Sequence, residues 1–337
     1  MIEVSAGIIR RNDGQILICQ RGEGRHNAHL WEFPGGKREA GEDAEACLRR
    51  ELAEELSLTI DRVREVCVRQ AEGIRFTFLE AVTADTPVPT EHEAVCFVPA
   101  RGMLGRAFCP ADTDVARTLA LREPPLKHFL WDFDGTLVDS YPGLTAMLVQ
   151  ACAGVDIAVT QARALDLMKE SLGHAVTVLS QEHGMPRERL QQAVEDMHED
   201  LAAEDYPLIG GIGDTLRSLA AMGGRHYLVT HRGAAALRCL EKHGLAPLFA
   251  GSVTREDGFP RKPAPDSIRH LLTRFAIDPA QAVMIGDRPL DTAAGRNAGI
   301  LSCLLDTEGR FPDDPCELRT DTADRLAALL CPEPLEE

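Results

Sequence analysis

Residues 129–140 read FLWDFDGTLVDS, an apolar run that ends in two aspartates, two positions apart, and a glycine. The run has the length and composition of a buried strand. The glycine after Asp134 favours a tight turn, so Asp132 and Asp134 are expected at the carboxyl end of that strand. Open α/β sheets bind ligands at this edge, and the stretch therefore predicts a site there. A turn held by the aspartates' own hydrogen bonds is the structural alternative.

The chain beyond this stretch alternates between short strands and helices. Strands are predicted at 227–230, 251–254 and 282–285, and helices at 234–243 and 265–275. Such alternation is typical of a parallel sheet. Several helices in succession at about 142–205 interrupt the pattern between the first two strands. They predict a helical cap over the carboxyl edge of the sheet.

Three further motifs follow in a fixed order. Thr230 ends a strand, Lys262 opens the run KPAP, and GDRPLD at 286–291 closes the last predicted strand. With the first stretch, this order resembles the haloacid dehalogenase (HAD) superfamily, in the subgroup with a small helical cap. The resemblance implies a Rossmann-like parallel sheet and a magnesium-dependent phosphatase, with a mutase as the alternative.

The resemblance also implies a role for each motif residue. Asp132 is the nucleophile that attacks phosphorus, and Asp134 is the general acid and base. Thr230 and Lys262 hold the phosphoryl oxygens. The metal ligands are the Asp132 carboxylate, the Asp134 carbonyl and Asp287, while Asp291 orients Lys262.

A second acidic motif lies near the N-terminus, where residues 43–56 are predicted to form a helix with neither glycine nor proline inside. Glu51, Glu54 and Glu55 stand at i, i+3 and i+4, which places them on one stripe of that helix. Like charges at this spacing repel unless they face water or share a cation such as Mg²⁺. A solvated acidic face is the structural alternative.

Gly36, Glu42, Arg50-Glu51-Leu52 and Glu54-Glu55 have the spacing of the Nudix box, and WEFPGGK at 31–37 resembles its MutT-like branch. The resemblance implies a pyrophosphohydrolase in which Glu51, Glu54 and Glu55 ligate Mg²⁺ and Arg50 braces the helix. One departure is Ser57, where the box has glycine.

The same resemblance implies four further positions around this helix. Glu91 occupies the place of an additional catalytic carboxylate, with Glu93 as the rival choice. Arg21 stands where relatives place an arginine near the phosphates. Asp112 aligns with a base-reading asparagine, but an ionised aspartate only accepts hydrogen bonds, whereas asparagine also donates.

The whole chain of 337 residues is therefore expected to combine α/β and α+β folds in two domains. Residues 1–122 are expected to form a Nudix α/β/α sandwich with a mixed sheet. Residues 123–127, with paired prolines, form a linker. Residues 128–333 are expected to form the HAD-like domain.

Composition limits the choice of partners. The formal charge of −17 disfavours nucleic acid, while a bound cation allows a small phosphorylated substrate in an acidic site. The ten cysteines contain no CxxC pair, which fits a reducing cytoplasm and offers no zinc site. No apolar run reaches membrane-spanning length, and no signal-peptide pattern opens the chain.

The sequence thus predicts a bifunctional hydrolase that uses Mg²⁺, or Mn²⁺, in both domains. The first domain would cut a nucleoside triphosphate, such as 8-oxo-dGTP or another non-standard nucleotide, to monophosphate and pyrophosphate. The second would dephosphorylate a phosphomonoester such as that monophosphate. Three alternatives are consecutive steps on a pterin triphosphate, a HAD domain that acts on pyrophosphate, and a non-catalytic Nudix sensor that regulates the phosphatase.

Overall fold

The computed structural model describes residues 1–71, 73–198 and 205–335. It divides into two compact units, Met1–Pro125 with Leu330–Glu337, and Leu126–Leu329. The sequence had predicted a second domain that continues to residue 333. The C-terminal segment joins the first unit because Leu335 packs on its apolar core and Pro332 accepts a hydrogen bond from Arg122.

The first unit is built on a seven-stranded mixed sheet. β1 and β6 run parallel to each other, and the other pairs are antiparallel. The sheet order is β3-β2-β1-β6-β5, with β4 paired to β1 and β7 to β2. The strands are β1 Ile2–Arg10, β2 Ile16–Arg21, β3 Trp31–Glu32, β4 Gly35–Lys37, β5 Asp61–Ala71, β6 Ile74–Val82 and β7 His92–Val98.

Two helices cover the two faces of this sheet, α1 Ala44–Leu56 and α2 Pro110–Arg122. Successive strand residues point to opposite faces, so Ile8 packs in the α2 layer and Ile9 in the α1 layer. Asp43 caps the start of α1, and its side chain accepts a hydrogen bond from the Ala46 backbone. This arrangement is the expected α/β/α sandwich.

The second unit has a six-stranded sheet in which every pair is parallel, in the order β10-β9-β8-β11-β12-β13. The strand β8 lies between β9 and β11, so the chain order reverses at β8, where α/β sheets place their ligands. The strands are β8 His128–Trp131, β9 Arg225–Val229, β10 Phe249–Val253, β11 Ala282–Gly286, β12 Leu301–Leu305 and β13 Leu318–Thr320.

Among the described residues, four of the helices between β8 and β9 form the cap and share an apolar cluster of their own. Residues 199–204 of the predicted cap lie outside the described residues. The cap helices are α3 Tyr141–Gly154, α4 Gln161–Glu170, α5 Leu172–Glu182 and α6 Arg187–His198. The helices of the sheet domain are α7 Ile212–Ala221, α8 Ala235–Lys242, α9 Asp266–Arg274, α10 Pro289–Ala298 and α11 Leu326–Leu330.

The α/β and α+β fold classes predicted from the sequence are confirmed. The described residues also form short 3₁₀ helices at Ala100–Met103, Ala246–Leu248, Arg255–Asp257, Pro279–Gln281 and Ala323–Arg325. Within the described part of the chain, every helix is too short or too polar to cross a membrane.

Candidate active sites

The carboxylates of α1 lie beside the glycine loop that precedes the helix. A side chain on Gly36 would bring its Cβ within 2.2 Å of the Glu51 carboxyl carbon, so any larger residue there would displace the Glu51 carboxylate. Arg50 bonds Glu42 and Glu51, each at 2.8 Å, and also the Lys37 carbonyl at 3.1 Å. Arg50 therefore ties the helix to the loop.

Acidic side chains from three segments crowd around Glu55. Burial raises the pKa of Glu55; the charge of His92 opposes this, and the carboxylates of Glu51, Glu91 and Glu32 add to the rise. His92 Nε2 lies 3.6 Å from Glu32 and 3.8 Å from Glu55. A divalent cation would relieve this repulsion, and carboxylate oxygens are the ligands that Mg²⁺ takes. The donor set therefore fits such an ion.

Three predicted carboxylates differ in their placement. Glu54 is 61% exposed and lies on the solvent side of the helix stripe, close to Arg50. Glu91 pairs with Arg25, and its charge also acts on Glu55. Glu93 instead pairs with His29 at 2.7 Å.

A pocket of about 550 Å³ opens beside Glu51 and Glu55. Arg21 lines it and bonds Glu32 at 2.5 Å. Asp112 lies in the pocket wall, in the first turn of α2. The structure thus brings both predicted substrate-binding residues to the same pocket as Glu51 and Glu55.

The protonation of Asp112 differs from the expectation of an ionised carboxylate. Asp112 is only 5% exposed, and one of its oxygens accepts a hydrogen bond from the Phe33 backbone at 3.2 Å. Burial raises the pKa of Asp112 to about 8, the Phe33 bond and Arg21 oppose the rise, and Glu32 adds to it. A neutral carboxyl has one donor and one acceptor, as an asparagine amide does.

In the second unit, a buried lysine joins two of the predicted aspartates. Lys262 Nζ lies 2.6 Å from Asp132 and 2.6 Å from Asp291, with a side chain that is 0% exposed. Burial acts to lower the pKa of Lys262, but the carboxylates of Asp132 and Asp291 raise it overall. Burial acts to raise the pKa of Asp132, but the charges of Lys262 and Arg288 lower it overall. These charges favour the ionised form of Asp132, which is the form that the predicted role of nucleophile requires.

Two oxygens beside this lysine point to a cation. Asp132 Oδ2 and Asp287 Oδ1 are buried and lack a hydrogen-bond partner among the described residues. Arg288 is near them, at 3.6 Å and 3.7 Å, beyond hydrogen-bond distance. Ligand atoms of Asp132, Asp287 and Asp291 lie within 4.8 Å of one another. Buried carboxylate oxygens without a hydrogen bond are costly, so the set fits a hard divalent cation such as Mg²⁺.

The other oxygen of Asp287 is held by two residues that the sequence did not single out. Tyr141 donates to Asp287 Oδ2 at 2.9 Å, and Lys169 of the cap lies 3.0 Å from the same oxygen. Gly135 makes room for them, since a Cβ there would lie 2.4 Å from both Asp287 Oδ2 and Tyr141. Lys169 is 118 positions from Asp287, so no local motif could have identified it.

Asp134 points to an arginine rather than to the cluster of aspartates. Arg232 Nε lies 2.9 Å from Asp134 Oδ2, and Arg232 Nη2 lies 3.0 Å from Asp134 Oδ1. The backbone N–H of Arg232 donates to Thr230 Oγ1 at 3.0 Å, which leaves the Thr230 hydroxyl hydrogen for another acceptor. His231 accepts a hydrogen bond from the Lys262 backbone at 2.9 Å. Arg232 stands two positions after Thr230, and no motif in the sequence pairs it with Asp134.

Both halves match known families. Residues 129–305 match the model of the haloacid dehalogenase-like hydrolases, and residues 1–117 match the NUDIX domain model. A phosphoglycolate phosphatase of Vibrio vulnificus (strain YJ016) is 28% identical over 223 residues, 62% of this chain and 97% of that protein. An 8-oxo-dGTP diphosphatase of Haemophilus influenzae is 53% identical over 58 residues, 17% of this chain and 43% of that protein.

A solved structure supports the fold of the second unit. The crystal structure of a predicted phosphoglycolate phosphatase from Haemophilus somnus has a TM-score of 0.52 and 20% identity, and covers 60% of this chain and 96% of its own. Fold and comparisons together define a hydrolase in two parts. The chain belongs to the haloacid dehalogenase-like hydrolases and carries a Nudix domain at residues 1–117. The family resemblance and hydrolase class predicted from the sequence are confirmed.

Proposed function

We propose that this chain is a bifunctional hydrolase that depends on Mg²⁺, or Mn²⁺, in both domains. The Nudix domain cuts a nucleoside triphosphate to monophosphate and pyrophosphate. The HAD domain removes phosphate from a phosphomonoester through an aspartyl-phosphate. The observation that carries the proposal is the buried set of Asp132, Lys262 and Asp287, in which two carboxylate oxygens lack a hydrogen-bond partner within the described chain.

In the Nudix domain, water is the nucleophile. Glu51, Glu54 and Glu55 would hold the cation, which would neutralise phosphate charge and lower the pKa of bound water. Glu91, whose charge already acts on Glu55, takes up the proton of the attacking water. Arg21, which lines the same pocket, binds phosphate oxygens.

Asp112, with its carboxyl neutral, then reads the base. The Asp112 carboxyl accepts from Phe33 at one oxygen and has the second for the ligand. With its proton in place, it presents a donor and an acceptor and so substitutes for asparagine. Recognition of the base is expected to weaken as pH rises above about 8, where the carboxyl loses that proton.

In the HAD domain, Asp132 attacks phosphorus and Asp134 protonates the leaving oxygen. Asp134 then takes a proton from the water that hydrolyses the aspartyl-phosphate. Thr230 and Lys262 donate to the phosphoryl oxygens, and Asp291 keeps Lys262 charged and in place. The cation held by Asp132, the Asp134 carbonyl and Asp287 would offset the negative charge of the phosphoryl group.

The two named relatives support two choices of substrate. Similarity to an 8-oxo-dGTP diphosphatase favours an oxidised or other non-standard nucleotide in the first domain. For the second domain, the fusion favours the released monophosphate, while similarity to a phosphoglycolate phosphatase over 97% of its length favours a small phosphomonoester. Lys169, which is in the cap and lies at the site, suits an ester whose leaving group is anionic. A pterin triphosphate, pyrophosphate and a non-catalytic Nudix sensor are alternatives.

The charge of −17 disfavours nucleic acid as a partner of either domain. Free thiols at all ten cysteines suit a reducing compartment, and we place the protein in the cytoplasm.

The test is a substrate panel on the full chain with Mg²⁺, with Mn²⁺ and with neither. It contains nucleoside triphosphates with and without 8-oxo-guanine, the monophosphates, a pterin triphosphate, phosphoglycolate and pyrophosphate. Glu54→Gln with Glu55→Gln should abolish pyrophosphate release and leave phosphate release from a monophosphate intact. Asp132→Asn should do the reverse. Unchanged pyrophosphate release in the double glutamine variant would refute the catalytic role of these glutamates, and no pyrophosphate release from the wild-type chain would leave the Nudix domain as a sensor.

A further inference from the structure

Arg232 makes a paired contact with the acid and base residue of the proposed phosphatase reaction. Its Nε and Nη2 atoms donate to different oxygens of Asp134, at 2.9 Å and 3.0 Å. The arginine side chain is 9% exposed, so water competes little for this contact. Two parallel hydrogen bonds between planar groups fix orientation as well as distance.

Two further contacts place Arg232 beside the site. The central carbon of the guanidinium lies 5.5 Å from the centre of the Tyr206 ring. Tyr206 follows the cap helices in the sequence. Its backbone N–H donates to Thr230 Oγ1 at 3.0 Å. Arg232 therefore lies in the same turn as Thr230, whose hydroxyl is the proposed phosphate-binding group. One three-residue turn thus connects the phosphoryl position with the Asp134 carboxyl.

The orientation of Asp134 matters in both steps of the proposed reaction. In the first step, a bond forms between Asp132 and phosphorus, the phosphorus–oxygen bond to the leaving group breaks, and the proton of Asp134 passes to that oxygen. In the second step, water attacks phosphorus, its proton passes to the Asp134 carboxylate, and the bond to Asp132 breaks. Each turnover therefore returns the proton to Asp134, and no further reactant is needed.

We propose that Arg232 is a positioning residue that holds the Asp134 carboxyl in the orientation from which it protonates the leaving oxygen. The inference rests on the proposed phosphatase function. It predicts that Arg232 matters most for esters whose leaving oxygen must receive a proton in order to depart. An alkyl phosphate is of that kind, whereas p-nitrophenyl phosphate releases an anion that is stable without a proton.

The experiment compares kcat/KM for ethyl phosphate and p-nitrophenyl phosphate on the full chain with Mg²⁺. General acid catalysis contributes about 10²- to 10⁴-fold, so Arg232→Met should lower kcat/KM for ethyl phosphate by up to that factor. For p-nitrophenyl phosphate, the loss should be at least about tenfold smaller. The ratio of the two values is taken on one sample, so it does not depend on the fraction of protein that folds.

Three variants separate positioning from a general structural role. Arg232→Lys keeps the charge but cannot form the paired contact, so it should show the same selective loss. Asp134→Asn should show it as well, and the double variant with Arg232→Met should lose no more on ethyl phosphate than Asp134→Asn alone. Arg217→Met is the control, because Arg217 pairs with Asp214 on the exposed face of α7.

Equal losses on both esters, or additive losses in the double variant, would overturn the inference and leave the phosphatase function intact. If the wild-type chain releases phosphate from neither ester nor from any monoester of the panel, the phosphatase function fails and this inference falls with it. The wild-type measurement therefore distinguishes the two failures.

Discussion

Replacing Asp112 with asparagine tests whether this carboxyl is neutral in the folded protein. Burial is the largest cause that raises its pKa from the ordinary value of 3.8 to about 8. An unfolded chain releases the proton near the ordinary value. Between pH 3.8 and about 8, the folded protein therefore binds one more proton than the unfolded chain.

The sign and size of the pH effect follow from that difference. Because the folded state holds the extra proton, the contribution of Asp112 to stability falls as pH rises through this window. The slope for one proton is about 1.4 kcal/mol per pH unit. An asparagine side chain does not titrate. The free energy of unfolding of Asp112→Asn minus that of the wild type should therefore increase by up to about 3 kcal/mol between pH 5 and pH 7.

Urea unfolding at pH 5, 6 and 7, followed by the fluorescence of Trp31, measures this gain. The Trp31 carbonyl accepts a hydrogen bond from Cys109 at the start of α2, so Trp31 reports on the segment that carries Asp112. Both proteins carry Trp131→Phe, which removes the other tryptophan. A difference that stays constant with pH would refute the neutral, buried carboxyl.

Asp114→Asn is the matched control. Asp114 lies on the same helix, is exposed and pairs with Arg117 at 2.7 Å. Its replacement should shift stability by less than about 0.5 kcal/mol at every pH.

Three further predictions concern single positions. Ser57 ends α1 with φ of 54°, so Ser57→Gly should raise the free energy of unfolding by about 1 kcal/mol, measured by urea unfolding, with Ser57→Ala showing no gain. Mg²⁺ at a hundred times its dissociation constant should stabilise the second unit by about 2.7 kcal/mol in thermal scans, and Asp287→Asn should remove that gain. Lys169→Met removes a charge 3.0 Å from Asp287 and should tighten Mg²⁺ binding about tenfold in calorimetry, whereas weaker binding would show that Lys169 supports the metal site.

Several features of the site could be predicted from the sequence because they depend on short-range geometry. Helical spacing places Glu51 and Glu55 on one stripe whatever packs around them. Strand ends in a parallel sheet gather at one edge, so Asp132 and Asp287 were expected together, and their ligand atoms do lie within 4.8 Å.

Other features depend on distant parts of the chain. Lys169 reaches Asp287 through the packing of the cap, and Arg232 reaches Asp134 across 98 positions. Neither contact has a sequence period that could reveal it. The boundary of the second unit likewise depends on tertiary packing, because Leu335 packs against the apolar core of the first unit.

The sequence by itself determined the two families, the fold classes and the residues that carry carboxylates to the two sites, because motif spacing and strand order are properties of the chain. Only the tertiary structure decided which of those groups are charged and how they are held. Asp112 shows the difference. Its position was readable from the sequence, but its pKa depends on burial beneath residues from other segments, which exclude the water that would stabilise the ionised carboxylate.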